Sequence, residues 1–341
     1  MNSFFSKRFR AHIRSHARFT ILSCAVFAVS VYAHQASAAD AAGAFPSKPI
    51  RLIVPFAAGG PTDVIARVIA QGLSESTRQQ VAVDNRPGAN AIIGTELGAK
   101  APADGYTLIM FAFPHGANPS MYSKLPYDTR RDFAPVTLAS SGPMLLAAHP
   151  SVPASNVGQL LRLARTRPDE LTCASSGTGS TAHLALALMT HMAGIKIRHI
   201  PYKGAGQALT DVLGGQVSLY FGGVVSLLPH VRTGKLKALA VSTRQRSQAA
   251  PTVPTIAEEG LSEYEVSGWY GIVAPAKTPA QTIATLNSLI TGVLRRPGVV
   301  NTLSANGAEV IGSTPEAFAA YIDSEIARWA TTIKSAGIKA D

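Results

Sequence analysis

Two short segments of this chain combine glycine, small residues and hydroxyls in a pattern suited to holding an anion. They are Ala57-Ala58-Gly59-Gly60-Pro61-Thr62 and Ser175-Ser176-Gly177-Thr178-Gly179-Ser180. Each follows a short apolar run and precedes apolar residues at helical spacing. A turn in that position leaves the first N–H groups of the helix without intrahelical partners, at the positive end of the helix dipole. Such a turn is a ready anion site. Neither segment carries a charged side chain, so an anion there would be gripped by N–H groups, hydroxyls and helix ends. Each helix end contributes about 0.3–1 kcal/mol when exposed and up to about 2 kcal/mol when partly buried. Several weak donors of this kind suit reversible capture better than turnover. Two such turns in one chain imply two lobes, each offering a helix N-terminus to one shared ligand.

Other chemistries fit the residues less well. Ser180 lies in Gly177-Thr178-Gly179-Ser180-Thr181, which lacks the Gly-x-Ser-x-Gly spacing of a nucleophile elbow. A hydroxyl at a helix start ordinarily caps the helix. Gly177-x-Gly179-x-x-Ala182 loosely matches the dinucleotide fingerprint, but that motif expects an acid about 20 residues on, at the end of the next strand. The chain reads Arg198-His199-Ile200-Pro201 there. No His-Glu-x-x-His, paired-cysteine or acidic calcium motif is present, and His183 and His191 read as packed or capping residues. No catalytic residue, metal ligand or cofactor is therefore assigned. Basic residues are scattered among acids without aromatic interleaving, which argues against nucleic acid as a partner.

The elements around the turns follow from pattern. Ile50–Val54 reads as a strand and Asp63–Leu73 as a helix, with Thr62 or Asp63 as its N-cap. Further strands are expected at Gln80–Val83, Tyr106–Phe111, Met144–Ala148, Leu171–Ala174, Lys196–Ile200, Val217–Phe221, Leu236–Val241 and Ser267–Pro275. Helices are expected at Gly94–Ala101, Val157–Thr166, Ala205–Leu213 and Pro279–Leu294, with a last one opening at Ser313-Thr314-Pro315-Glu316. Phe318, Ile322, Trp329 and Ile333 share one face of that last helix. Pro114–Pro119 reads as a loop. This alternation implies βαβ units and a mainly parallel sheet, with ligands at the carboxyl ends of the strands.

With 341 residues the chain is long enough for two lobes with separate cores, and 46% hydrophobic with 15% charged residues is an ordinary globular composition. Lys7, Arg8, Arg10, Arg14 and Arg18 precede the apolar run Phe19–Ala33 and the small-x-small site Ala36-Ser37-Ala38. This is the layout of a cleaved signal peptide, residues 1–39, and the apolar run is shorter than the roughly 20 residues a membrane span needs. Without that segment the net charge of +11 falls to +6. Ile21-Leu22-Ser23-Cys24 loosely resembles a lipobox, but the apolar run continues past Cys24. Cys173 would then be the one remaining cysteine, read as a buried inert thiol.

A set of longer segments is more specific than any of these patterns: KPIRLIVPFAAGGPTDVIAR, VDNRPGANAIIG, APADGYTL, KLPYDTRRDFAPV, ASSGTGSTAHLA, PYKGAGQALTDVLGGQV, GKLKALAV, VPTIAEEG and APAKTP. In their order and spacing the chain resembles the Bug family of periplasmic solute-binding proteins, the receptor component of tripartite tricarboxylate transporters. The resemblance runs from about Phe45 to Ile338. It implies an α/β, two-lobed periplasmic binding protein fold with a ligand cleft between the lobes. Residues 45–142 and 268–341 would form the first lobe and residues 143–267 the second. It implies a small organic carboxylate as ligand, membrane permease subunits as partners, a periplasmic location and a monomeric, non-enzymatic protein. Carried over by position, the contacts would be Phe56, Ala57, Ala58, Gly60 and Thr62 from the first lobe. Ser176, Gly177, Thr178, Ser180, Tyr202 and Phe221 would come from the second.

Two stretches depart from the family's pattern. Phe111-Ala112-Phe113-Pro114-His115-Gly116-Ala117 replaces a Gly/Ser/Thr-rich loop, and Ser218-Leu219-Tyr220-Phe221-Gly222-Gly223 replaces a more polar one. If both border the cleft, they favour an apolar or aromatic carboxylate. The rival readings are an exported hydrolase or dinucleotide-dependent enzyme, which would turn its compound over, and an orphan receptor that senses its ligand for a regulator.

Overall fold

Strand β1 (Ile50–Val54) buries every residue except Arg51 and ends at Pro55, as its apolar run requires. Strands β2 (Val81–Asn85) and β3 (Thr107–Ala112) flank it in parallel register. Helices α1 (Pro61–Thr77) and α2 (Ile92–Ala99) make the connections. The computed structural model describes residues 45–338, and from Lys48 onward the chain forms one compact unit. The leader sequence and Cys24 lie outside the described residues.

Helix α1 differs from expectation at both ends. Its N-cap is Gly60, not Thr62 or Asp63, because Pro61 takes the first helical position, where its missing N–H costs nothing. The helix runs past Gly72 to Thr77. At Gly72 a Cβ would lie 2.3 Å from Val293 Cγ1, so the glycine serves close packing on helix α8 (Ala280–Leu294) and does not stop the helix.

The segment expected to be a loop is helix α3 (Pro114–Met121), again opened by a proline and burying His115 and Asn118. Strand β4 (Phe133–Ala148) is far longer than the expected Met144–Ala148 and passes through Gly142-Pro143. Register shifts near Pro135 and Leu138 absorb the irregular stretch.

After α4 (Val157–Thr166) come β5 (Thr172–Ser175), α5 (Thr181–Ala193), β6 (Arg198–Pro201), α6 (Ala205–Leu213) and β7 (Leu219–Gly223). Helix α7 (Val224–Arg232), unforeseen because Gly222-Gly223 and Pro229 mask its pattern, leads to β8 (Lys237–Val241). Strand β9 (Ser267–Pro275) and helix α8 follow. Then come α9 (Pro297–Ala305), the two-residue β10 (Glu309–Val310) and α10 (Pro315–Ser335).

The sheet is parallel only in its outer parts. The order β2-β1-β3-β9-β4-β7-β5-β6 is parallel at β2-β1-β3 and at β7-β5-β6 but antiparallel through β3-β9-β4-β7. The expectation of a mainly parallel sheet fails at this centre, because β9 runs antiparallel to both β3 and β4, and β4 runs antiparallel to β7. The first part of β4 pairs with β9, and its last five residues pair with β7 and β8. Two sheets thus share one strand, each flanked by helices. Helix α10 buries Phe318, Ile322, Trp329 and Ile333 as expected. Its Glu325 carboxylate, 3% exposed, accepts the indole N–H groups of Trp269 and Trp329 at 3.0 and 3.1 Å.

Candidate functional site

The first glycine turn sits at the carboxyl end of β1. The Gly59 N–H donates to Asp63 Oδ2 at 2.8 Å, and Asp63 also receives Arg67 Nε at 2.9 Å and Asn85 Nδ2 at 2.9 Å. Burial raises the Asp63 pKa, but these three hydrogen bonds outweigh it and hold the carboxyl below its usual value. Asn85 also donates to the Phe56 carbonyl at 3.1 Å, so the end of β2 pins the turn. One N–H of the cradle is therefore already committed. Among the described residues the N–H groups of Ala58, Gly60 and Thr62 carry no hydrogen bond. Ala57 and Ala58 are exposed, Phe56 and Gly60 half-buried, and Thr62 buried.

The second turn sits at the carboxyl end of β5 and is held mostly by side chains. Gly177 N–H donates to Ser175 Oγ at 3.1 Å, and Gly179 N–H donates to His183 Nδ1 at 3.1 Å. Ser180 is the N-cap of α5, as its hydroxyl suggested, accepting from the His183 N–H at 3.3 Å. His183 stacks on His199 at 3.9 Å with planes 7° apart, and His199 Nε2 lies 2.6 Å from Ser175 Oγ. Burial lowers both imidazole pKa values to about 4, helped at His183 by its neighbour's charge, so both rings are neutral at pH 7. The N–H groups of Ser176 and Thr178 and both their hydroxyls carry no hydrogen bond among the described residues. Thr178 is exposed, and Ser176, Gly177 and Ser180 are half-buried.

The second turn meets the other sheet at one point. A Cβ on Gly179 would lie 2.7 Å from both Asn90 Nδ2 and Met121 Cε, so a side chain there would have to displace these two side-chain ends. Asn90 belongs to the loop between β2 and α2, and Met121 ends α3. Asn90 Nδ2 donates to Asn118 Oδ1 at 2.8 Å, and Asn118 Nδ2 donates to the Asn90 carbonyl at 2.9 Å. Sequence reasoning passed over Asn85, Asn90, Asn118 and Met121. Asn85 and Asn90 stood inside the family segment VDNRPGANAIIG without a role of their own, and all four are linked to the turns only by long-range packing.

Tyr202 is half-buried, and its hydroxyl donates to Asp211 Oδ2 at 2.6 Å, which pushes its pKa up to about 12. Phe221 is fully buried opposite Leu146. The departing aromatic stretches do not line an opening either: Phe111, Phe113, Tyr220 and Phe221 are each at most 4% exposed. His115, also fully buried, stacks on Phe111 at 3.9 Å, with Nε2 2.8 Å from Thr95 Oγ1. These residues are core, which removes their support for an aromatic ligand. Cys173 is fully buried with its thiol pKa pushed up to about 12, an inert packing residue. Among the described residues no group of three or more His, Cys, Asp or Glu side chains could hold a metal, and no helix is long and apolar enough to cross a membrane.

Two cavities lie beside α10 and the residues that follow it. One of about 480 Å³ is lined by Tyr122, Tyr127 and Asp132 with Ile326 of α10. The other, about 270 Å³, lies between His183, His191 and His199 and the segment after α10 at Ala336 and Ile338.

The arrangement has close counterparts. A family model described as "Tripartite tricarboxylate transporter family receptor" matches residues 65–338. Protein BugT of Bordetella pertussis is 37% identical over 317 residues, covering 92% of this chain and 97% of that protein. A solved R. palustris protein with adipate superposes with a TM-score of 0.79 at 37% identity, covering 86% of this chain and 99% of that one. MatC from Rhodopseudomonas palustris with bound malate gives a TM-score of 0.76 at 32% identity, covering 85% of this chain and 100% of that one. The fold is thus the two-lobed α/β fold of these receptors, and the chain belongs to the tripartite tricarboxylate transporter receptor family.

Proposed function

We propose that this protein is an exported receptor that captures a small organic carboxylate between two lobes and delivers it, unchanged, to membrane permease subunits. The lobes are residues 45–142 with 268–341, and residues 143–267. The observation that carries the reading is the pair of helix N-termini with uncommitted N–H groups and hydroxyls, one at Ala58–Thr62 and one at Ser176–Thr178. Phe56, Ala57, Ala58, Gly60 and Thr62 would hold one end of the ligand. Ser176, Gly177, Thr178 and Ser180 would hold the other, with the Tyr202 ring as a wall. Phe221 stands behind that wall and needs no direct contact. Opening would bend the crossing strands where Gly142 pairs with Gly268 and Pro143 with Ser267.

A small dicarboxylate suits the site better than an aromatic acid. The aromatic side chains of the two departing stretches, Phe111, Phe113, Tyr220 and Phe221, are core, and relatives at 37% and 32% identity were solved with adipate and malate. The leader sequence supports export with cleavage near Ala38, and family membership supports a periplasmic place, a permease partner and binding without turnover. A monomer satisfies this role.

Calorimetric titration with adipate, malate and benzoate tests the proposal. Saturable binding of a dicarboxylate is expected, abolished in Thr178→Trp with unchanged thermal stability. Preference for benzoate, retained affinity in that variant, or conversion of the bound acid would each overturn it.

A further inference from the structure

The Gly179 contact has an unusual seat. Asn90 lies in a run of four residues with positive φ: Gly88 at 134°, Ala89 at 46°, Asn90 at 50° and Ala91 at 74°. Alanine rarely adopts this region, so the loop persists only because its surroundings hold it there. The holding group is Asn118. Asn118, with no exposed surface, engages both the carbonyl and the side-chain amide of Asn90. Two hydrogen bonds to one residue fix its backbone and its rotamer together. Across the seam, Gly179 is itself fixed by its N–H bond to His183 and its φ of 79°. Two preorganised surfaces therefore meet, and a side chain at Gly179 would be strained by the positive φ and would push the Asn90 amide and Met121 aside.

We propose that the Asn90–Asn118 amide pair is the seat on which the Gly179 turn docks when the lobes close, so that Asn90 is a positioning residue that sets the closed state. It touches the second turn one residue from Thr178 and Ser180, which ties the geometry of the carboxylate site to a loop in the other lobe. The inference rests on the solute-binding reading but concerns closure, not ligand identity. It ties this strained run, which also places the buried Ala91 at the N-cap of α2, to a contact in the other lobe. Strain kept at such a point is retained where geometry matters to function.

The test is Asn90→Gly in the full chain. Glycine accepts the positive φ, which offsets part of the cost of leaving the buried Asn118 Oδ1 without its donor, so the variant folds, yet the amide seat is gone. Hydrogen–deuterium exchange of residues 176–182, which belong to the other lobe, reads the docking without any ligand. Exchange there is expected to rise at least tenfold, while α8 and α10 stay as protected as in the parent. Gly179→Ala should raise exchange in residues 88–91 reciprocally. Unchanged exchange of residues 176–182 in Asn90→Gly overturns the proposal, as does exchange in the parent already as fast as in an unstructured peptide. A separate titration of the parent with adipate and malate keeps the two readings apart. If neither binds but the exchange responds, docking stands and the dicarboxylate reading falls.

Discussion

His183 Nδ1 accepts the backbone N–H of Gly179 at 3.1 Å, so a side chain from the first turn of α5 fixes the turn that precedes its own helix. The site thus owes its shape to a residue that need not touch ligand. His183→Ala leaves that N–H without its acceptor and frees the turn. Adipate affinity is expected to fall about tenfold, equivalent to about 1.4 kcal/mol. Asn at 183 can supply a carbonyl oxygen near the lost Nδ1 and should recover most of the affinity. Equal losses in the two variants, measured by calorimetry, would show that the hydrogen bond does not matter.

The buried imidazoles make stability depend on pH. His115, His183 and His199 have pKa values lowered from 6.5 to about 4, each chiefly by burial. Above pH 6.5 neither folded nor unfolded rings carry the proton, and stability is complete. As pH falls from 6.5 toward 4, the unfolded chain binds protons first and stability drains away. For the fully enclosed His115 the loss amounts to about 3 kcal/mol. The thermal midpoint should fall steadily between pH 7 and pH 4.5. A flat profile would mean that these rings titrate normally in the folded protein.

Gly142 lies where β4 crosses between the sheets, and a Cβ there would come 2.3 Å from the Gly307 carbonyl oxygen. Backbone cannot yield as a side-chain tip can. Gly142→Ala should cost about 1–3 kcal/mol. Gly292→Ala, in open space inside α8, should instead gain about 0.5 kcal/mol through helix propensity. Urea unfolding of the two variants reads both signs.

Glu325 is a buried carboxylate shared by two indoles, with Oε1 2.7 Å from an Arg328 guanidinium nitrogen. Its pKa is raised, burial outweighing Arg328 and the two indole hydrogen bonds. An acid shifted this way stabilises the fold at low pH and loses that contribution as pH rises through its folded pKa, opposite to the histidines. Glu325→Ala orphans both indole N–H groups and should cost about 3 kcal/mol, whereas Glu325→Gln keeps one acceptor and should cost about 1 kcal/mol. Denaturant midpoints at pH 7 distinguish the two.

Local pattern was enough for much of this protein. Ile50–Val54, Val157–Thr166, Ala205–Leu213 and Ser267–Pro275 form the elements their periodicity and turn residues dictate, residue for residue. The charge-poor glycine turns, the capping role of Ser180 and the missing acid beside Arg198 were equally legible, because each depends on neighbours within one turn of chain. Tertiary structure decided the rest. Whether Pro114 opens a helix or sits in a loop depends on what covers it, and here α10 packs against it. Phe113 and Phe221 read as cleft residues by position but are core: Phe113, at the start of α3, packs on Trp329 of α10, and the face Phe221 takes on β7 is chosen by what packs on the sheet. Asn90 and Gly179 are 89 positions apart and meet only because β4, between them in the chain, passes from one sheet into the other. Periodicity reports which residues can be buried; only long-range pairing reports against what.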